Sequence, residues 1–309
     1  MPLSIAKLLR TVTCLAVGVS CMWSCEEPVD LAFDIPKSRL VISSSFIPAQ
    51  PVVLQLSATQ PRGADPVGLI TDARVTLYEG MELAEELTYF PSPETDRPGT
   101  YRTTRFSPQA GHQYTIHVSA EGYDPVTAIS TIPQAIGINS LAVTGMSVDE
   151  GEVTSVYDYH LLVDYADPAE ETNYYDLRIL QMVIPYKVDS RGDTVRLQPY
   201  VKSVSTPVHE AANGQVVSIL LKDKPMTPVL NVHLQCRLES KSELLGQVIA
   251  ELRTVSPEYY FYQRSINRPD ELPNSGLKDP VIVFNNVDRG LGVFAGYTSV
   301  SKGLNLPGH

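Results

Sequence analysis

The chain has 309 residues, of which 43% are hydrophobic, enough for a sizeable core and for two domains. Its 24 Lys and Arg residues stand against 35 Asp and Glu residues, which gives a formal net charge of −11. An acidic surface argues against nucleic acid as a partner and against electrostatic docking on anionic lipid.

The first 24 residues have the pattern of a signal peptide. Lys7 and Arg10 supply a basic start, and residues 11–23 are nearly uncharged and largely apolar. This apolar run is too short for a membrane-spanning helix but has the length of a signal-peptide core. We therefore expect residues 1–24 to be removed during export.

A cysteine at the end of this run indicates a bacterial lipoprotein processing site. Cys25 follows Ser24 and has apolar Met22 three positions before it, whereas Cys21 has Gly18 at that position. We expect lipidation at Cys25, with Cys21 as the alternative. An ordinary secreted protein cut nearby would instead carry an unpaired cysteine close to its new N-terminus.

Cleavage before Cys25 would leave Cys236 as the only other cysteine, so no disulfide framework could hold the mature fold together. It would remove two basic residues and no acidic one, which changes the net charge from −11 to −13. The fold must therefore depend on its own hydrophobic core.

Residues 25–38 are expected to form a lipidated tether. The multiple acylation typical of bacterial lipoproteins suffices for stable membrane anchoring. The pair Glu26-Glu27 is either part of a solvated tether or similar to the signal that sends Bacteroidota lipoproteins to the cell surface.

Short apolar runs alternate with turn residues along the mature sequence, and 24 prolines are scattered through the chain. Period-two alternation and enrichment in β-branched and aromatic residues predict strands. We therefore predict an all-β fold of two β-sandwich-like domains. The first, residues 39–135, is expected to be immunoglobulin-like, with strands at residues 39–46, 52–59, 73–80, 99–106, 112–120 and 127–133.

The second domain, residues 136–309, is predicted to be larger and also β-rich. Long strands are predicted at 153–166 and from Tyr174 onwards, with a hairpin turn at 189–193. Cys236 is predicted to be a small buried hydrophobe rather than a nucleophile. It shares one face of a predicted strand with three apolar residues, namely Val232, Leu234 and Leu238.

One segment, residues 256–267, departs from the β pattern. Ser256 can cap a helix, Pro257 suits the first helical position and Glu258 suits the first turn. We predict a short helix near a C-terminal hairpin, with apolar residues at helical spacing packed on the sheet. These residues are Tyr259, Tyr262 and Ile266. The alternative is that the aromatic residues form a binding platform.

No pattern of catalytic, cofactor-binding or metal-ligating residues is visible. The six histidines lack metal-ligand spacing, and the sequence contains no nucleophile elbow and no phosphate-binding Gly-Lys-Ser/Thr loop. A zinc site built from scattered residues stays open. The acidic pairs Glu85-Glu86 and Glu170-Glu171 are predicted to be solvated loop charges.

Three glycines near the C-terminus, Gly290, Gly292 and Gly296, invite comparison with a dinucleotide-binding loop. Their spacing is one residue off that fingerprint, and the residues after them are strand formers rather than helix formers. We instead predict a β-hairpin that pairs residues 281–284 with residues 291–300. Glycine within a strand suits a bulge or a close backbone approach.

Three stretches resemble the DUF4249 lipoproteins of the Bacteroidota. The first is DPVIVFNNVDRGLGVFAGY near the C-terminus, the second is DYADPAEETNYYDLRI in the centre, and the third is SCEEPVDL followed by RLVISSSF. The sequence LKDP at residues 277–280 departs from the Asn-Pro-Phe that is usual in the family. The resemblance covers the whole mature chain.

The resemblance implies an outer-membrane lipoprotein on the periplasmic or the cell-surface side. It carries over no catalytic residue, because the family has no established activity. Its members are often encoded beside TonB-dependent transporters, so we expect a non-enzymatic accessory protein that helps such a transporter to capture or deliver a ligand. The alternatives are a structural or assembly factor of the envelope and, third, a hydrolase with scattered catalytic residues.

Overall fold

A computed structural model describes residues 37–60, 70–93, 98–168, 170–204, 218–223, 229–267 and 282–306. The predicted signal peptide, the predicted lipidation site Cys25 and the pair Glu26-Glu27 lie outside these residues. Residues Ser38–His309 belong to one compact unit. The described part is almost entirely β-structure with one short helix, as the sequence predicts.

The first half of the chain contains eight strands in the described residues. In chain order they are β1 (Leu40–Phe46), β2 (Val53–Ala58), β3 (Arg74–Glu79), β4 (Glu82–Glu86), β5 (Thr88–Phe90), β6 (Thr100–Arg102), β7 (Gln113–Ser119) and β8 (Val126–Thr131). One sheet has the order β1-β2-β6-β5, and the facing sheet has the order β8-β7-β3-β4. These orders correspond to the A-B-E-D and G-F-C sheets of an immunoglobulin fold, with β4 as an additional edge strand.

Tyr114, near the start of β7, supports the immunoglobulin-like interpretation. Its side chain is fully buried, and its hydroxyl accepts a hydrogen bond from the backbone N–H of Gln109 at 2.7 Å. The same hydroxyl donates to Glu79 at 2.8 Å. A tyrosine at the start of strand F that bonds to the backbone a few residues upstream is a hallmark of this fold.

Glu85 is not the solvated loop charge that the sequence predicts. It lies on β4 and is only 7% exposed. Burial alone would raise its pKa, but hydrogen bonds from Thr104, Phe106 and Arg105 outweigh this and lower the pKa from 4.5 to about 2. The donors are three backbone N–H groups and the Thr104 hydroxyl, at 2.7–3.1 Å. The carboxylate therefore fixes the loop that follows β6.

Ten further strands and one helix follow in the described ranges. They are β9 (Ile138–Glu150), β10 (Thr154–Tyr165), β11 (Tyr174–Val188), β12 (Thr194–Arg196), β13 (Tyr200–Ser203), β14 (Ser218–Lys222), β15 (Val229–Glu239), β16 (Glu243–Val255), α1 (Pro257–Ile266), β17 (Val287–Asp288) and β18 (Leu291–Asn305). Strands β15, β10 and β9 form a three-stranded sheet. Strands β11, β16 and β18 continue the sheet of β1, while β12, β13 and β14 each pair with β11.

The predicted position of Cys236 is confirmed. It lies on β15 with its side chain buried, and burial raises the pKa of its thiol to about 11. The thiolate is the reactive form of cysteine, so this residue acts as a packing group. Its apolar neighbours on the same face are buried as well: Val232, Leu234 and Leu238.

Strand β18 joins the two halves. Its first six residues pair in parallel with β1, and residues 297–305 pair antiparallel with β16. One hydrophobic cluster consists of residues from the first half of the chain together with Val287 and Phe294 from its C-terminal part. A second cluster lies among β9, β10, β11, β15 and β16. That the chain divides into two domains between residues 135 and 136 remains a prediction.

The predicted turn before Gly290 is present, but its strands have other partners. Ile282–Asn286 is not a strand, and β17 pairs with β8 rather than with β18. The partners of β18 are β1 and β16. Local sequence favours a hairpin, yet β17 and β18 pair with strands that are distant in the sequence, and Ile282 and Val283 stay exposed.

Glycine is required where β18 meets β1 and β8. Gly292 has a φ of +107°, and a Cβ added there would lie 1.9 Å from the carbonyl oxygen of Ile42. A Cβ on Gly296 would lie 2.7 Å from the carbonyl oxygen of Thr131. These glycines therefore allow the backbone of β18 to lie close to the backbones of β1 and β8, as the sequence predicts for glycine within a strand.

We expect Gly292→Ala to lower the free energy of unfolding by roughly 3 kcal/mol or more, because it adds a backbone clash to an unfavourable φ. Gly122→Ala is the matched control. Gly122 also has a positive φ, +81°, but nothing lies within 4 Å of an added Cβ. The control should cost about 1–2 kcal/mol, because alanine is strained in the left-handed region. Chemical denaturation measures both free energies. We call the contact of β18 with β1 and β8 the seam, and equal losses in the two variants would show that the backbone clash at this seam is not what destabilises Gly292→Ala.

For Glu85→Gln we expect a pH-dependent loss of stability. The folded-state pKa, about 2, lies below the ordinary value of 4.5. The ionised group therefore stabilises the fold above pH 4.5 by roughly 3 kcal/mol. This contribution disappears as the pH falls towards 2. Denaturation curves between pH 2 and 7 measure the difference, with the exposed neighbour variant Glu86→Gln as the control.

Candidate functional site

Within the described residues, no group of three or more His, Cys, Asp and Glu side chains could hold a metal ion. The structure nevertheless brings together two histidines that are far apart in the sequence. His160 on β10 stacks on His233 on β15, with ring centroids 4.7 Å apart and planes 9° apart. His233 contacts Asp158 at 2.7 Å and His160 contacts Asn231 at 2.9 Å. One nitrogen of each ring therefore contacts a polar side chain of the same sheet.

The helix α1 is the one element of the described residues that is not a strand. Ser256 is its N-cap and accepts a hydrogen bond from the N–H of Tyr259, while Pro257 starts the helix and Glu258 lies in its first turn. These predictions are confirmed. Tyr259 is buried as predicted, whereas Ile266 is 47% exposed and does not pack on the sheet.

An ionic network lies beneath α1 on the outer face of β11. Asp176 is fully buried. Its Oδ2 accepts hydrogen bonds from the Tyr259 hydroxyl at 2.8 Å and from the Arg178 Nε at 3.0 Å. Its Oδ1 accepts a hydrogen bond from the hydroxyl of Ser218 on β14. Both oxygens of this carboxylate are therefore satisfied, and the helix is tied to two strands.

The network continues onto β16 and β18. Arg253 donates to Glu251 at 2.7 Å, and Ser299 donates to the same oxygen at 2.8 Å. The Arg253 guanidinium also lies over the ring of Tyr297, at 4.7 Å from its centroid. Burial alone would lower the pKa of Arg253, but the bond to Glu251 and neighbouring groups raise it, so the guanidinium stays charged.

Tyr259 stands at the centre of this arrangement. Its hydroxyl donates to Asp176 and accepts a hydrogen bond from the Arg178 Nη2 at 2.9 Å. Burial, followed by the charge of Asp176, raises its pKa to about 12. The hydroxyl therefore stays protonated near neutral pH, and the network is suited to holding α1 in place rather than to acid–base chemistry.

Four aromatic side chains meet around the fixed helix, and we call them the aromatic platform: Tyr260 and Phe261 of α1, Tyr174 of β11 and Phe284. Their ring centroids form a chain with spacings of 4.8–5.7 Å. Phe261 is 37% exposed, and beside the platform Ile282 is 89% exposed. Tyr260 is buried, and Tyr174 and Phe284 are half-buried, so the exposed part of the platform centres on Phe261. An apolar cluster that reaches the surface is a feature of interaction sites.

The packing interpretation is confirmed for Tyr259, which lies in the network, whereas Phe261 faces outward. The interpretation of the aromatics as a binding platform stays a prediction. Tyr260 and Phe284 were not predicted to take part in it. Tyr260 falls outside the chosen helical stripe, and Phe284 was assigned to a strand, so only the fold brings these rings together.

The comparison with known families agrees with the motifs. A family model described as a domain of unknown function (DUF4249) matches residues 26–303. The chain belongs to the DUF4249 family. The curated proteins contain no match to it. The matched range contains the ionic network, the aromatic platform and the glycines of β18, so these features lie within the DUF4249 domain.

The described ranges of this DUF4249 chain contain no helix with the length and hydropathy of a membrane span. The predicted anchor at Cys25 lies outside those ranges and remains a prediction.

We expect Asp176→Asn to reduce the free energy of unfolding by about 2–4 kcal/mol, because it removes the negative charge that pairs with the Arg178 guanidinium. Tyr259→Phe should cost about 1–3 kcal/mol, because it removes the central hydroxyl. The double variant should cost less than the sum of the two, since both residues belong to one network. Urea denaturation measures the cycle.

The control for this cycle is Asp288→Asn. Asp288 has a side chain that is 76% exposed and lies 3.7 Å from Arg289. An exposed pair of this kind contributes at most about 1 kcal/mol. Strict additivity of Asp176→Asn and Tyr259→Phe would show that the network does not act as a unit.

Proposed function

We propose that this DUF4249 protein is a lipid-anchored binding module of the bacterial outer membrane. A lipid on Cys25 holds it at the membrane, and the folded part docks on a TonB-dependent transporter to help capture or deliver a ligand. The family context supports the choice of transporter. The proposal leaves the periplasmic and cell-surface sides open.

The observation that supports the binding role is the aromatic platform around α1, with Phe261 exposed at its centre. Aromatic residues supply large contact areas and are enriched at the centres of protein interfaces. The network around Asp176 holds the helix from below, so the platform would lose little conformational freedom on binding. A rigid apolar surface on a tethered protein suits docking on a neighbouring membrane protein.

The variant Phe261→Ser tests this proposal. We expect at least a tenfold loss of transporter co-purified in mild detergent from native membranes, because a central aromatic contact of about 1.4 kcal/mol or more is removed. Phe90→Ser is the matched control, since Phe90 is 38% exposed but lies on β5 in the first half. The control should retain the transporter.

Two outcomes would contradict the proposal. If no transporter co-purifies with the unchanged protein, the partner is wrong. If Phe261→Ser and Phe90→Ser retain it equally, the platform is not the docking surface. A deletion strain distinguishes this function from the alternative of a structural or assembly factor of the envelope. A general envelope defect without loss of uptake of a particular nutrient would favour the structural factor.

Membrane attachment has its own test. Cys25→Ser should move the protein from the membrane fraction to the soluble fraction, because the acyl chains would be lost. Cys21→Ser is the control and should leave fractionation unchanged. The reverse result would assign lipidation to Cys21.

A further inference from the structure

The first sandwich contains a groove between β1 and β8 that the C-terminal segment fills. Residues 291–296 pair in parallel with residues 41–46 of β1. On the other side, Val287 and Asp288 of β17 pair with Ala128 and Thr127 of β8. Both sides of the groove therefore bind the same short segment of chain.

Apolar side chains of this segment complete the core of the first sandwich. Phe294 is fully buried, and its ring stacks on Phe46 with centroids 4.4 Å apart. Val287 is 2% exposed and belongs to the same cluster. Without this segment, Phe46 would lose its stacked partner and the cluster would face solvent.

Asn286 supplies the polar contacts that a further strand would supply. Its side-chain oxygen accepts a hydrogen bond from the N–H of Phe294 at 3.1 Å, and its Nδ2 donates to the carbonyl of Phe294 at 2.8 Å. The same nitrogen donates to the carbonyl of Ile129 at 3.1 Å. This amide therefore links the backbones of β18 and β8.

The groove also selects by shape. A Cβ on Gly290 would lie 2.9 Å from the carbonyl oxygen of Leu40, and one on Gly292 would lie 1.9 Å from that of Ile42. At the far end, the N–H of Gly296 donates to the buried hydroxyl of Ser130 at 3.1 Å. The groove accepts a segment only where its backbone can approach this closely.

The pairing joins distant parts of the chain. Val41 pairs with Leu291, about 250 positions later in the sequence. Contacts of such separation form late in folding, because the entropy of closing the loop opposes them. All other strands of the first sandwich lie before residue 132.

We propose that the groove between β1 and β8 is a strand-binding site, which β17 and the first six residues of β18 fill within the chain. The site takes an extended peptide with the sequence of residues 286–296, also when that peptide is supplied separately. This is strand addition to a sheet edge, in which backbone hydrogen bonds give affinity and side-chain pockets give specificity.

The site has a consequence for export, which rests on the proposed function. A sandwich that needs residues 287–296 cannot close before those residues have been synthesised. An exported precursor would therefore keep the first sandwich open until then. The strand-binding site itself does not depend on export or on the lipid anchor.

Hydrogen exchange on the purified full-length protein tests the site. The variant Gly292→Val with Gly296→Val should undock the first part of β18 while leaving residues 297–305 on β16. We expect protection of the amides in β1, β2, β7 and β8 to fall by roughly 100-fold or more. Amides in β10 and β15 should retain their protection.

Addition of a synthetic peptide of residues 286–296 should restore the lost protection in a concentration-dependent way. The same peptide with Gly292→Val is the control and should restore nothing. Unchanged protection in the double variant, or no rescue by the unchanged peptide, would overturn the proposal.

If the double variant does not fold, Phe294→Ala replaces it. This variant keeps the backbone geometry and removes only the ring that stacks on Phe46. Protection in the first sandwich should fall and return with the peptide. Loss of protection that is equal in both halves and insensitive to the peptide would show general destabilisation instead. Because these readouts use purified protein, a failure of membrane docking leaves them unaffected.

Discussion

The pairing of β18 with both β1 and β16 is the interaction on which the rest of the structure depends. It makes one continuous sheet out of strands from the two halves of the chain. The same strand carries Phe294 into the first hydrophobic cluster and aligns with β16 behind the second. Neither half could complete its hydrogen bonds without it, and unpaired buried backbone groups are costly. This arrangement requires glycine at positions 292 and 296, because a side chain there would collide with the backbone of β1 or β8.

Two buried carboxylates show how an acidic chain organises its charges. Glu85 is satisfied mainly by backbone N–H groups and thereby fixes a loop. Asp176 is satisfied by Arg178, Tyr259 and Ser218, and thereby fixes a helix on a sheet. A buried carboxylate is stable only when such partners surround it. Both groups thus position elements of the fold rather than react.

The sequence predicted features whose causes are local. The cap at Ser256 and the buried position of Cys236 follow from residues within a few positions of each other, and both are confirmed. Glu85 was misassigned because its partners come from residues 104–106, about 20 positions away. The stacked pair of His160 and His233 depends on the register between two strands, which spacing along the chain does not encode. The same limit explains why the partners of β18 were missed, although its glycines indicated close approach.

The seam and the aromatic platform are mechanically connected at the start of α1. The N–H of Ser256, the helix cap, donates to the carbonyl of Gly296 at 2.9 Å. The hydroxyl of Ser130 on β8 donates to the first-turn carboxylate of Glu258 at 2.9 Å. The helix therefore begins at the point where β18 passes from one partner strand to the other. If β18 were undocked from β1, the cap would lose an anchor while Asp176 still held Tyr259, so the platform would tilt rather than dissociate. Docking at the platform and closure of the first sandwich should consequently be coupled in free energy.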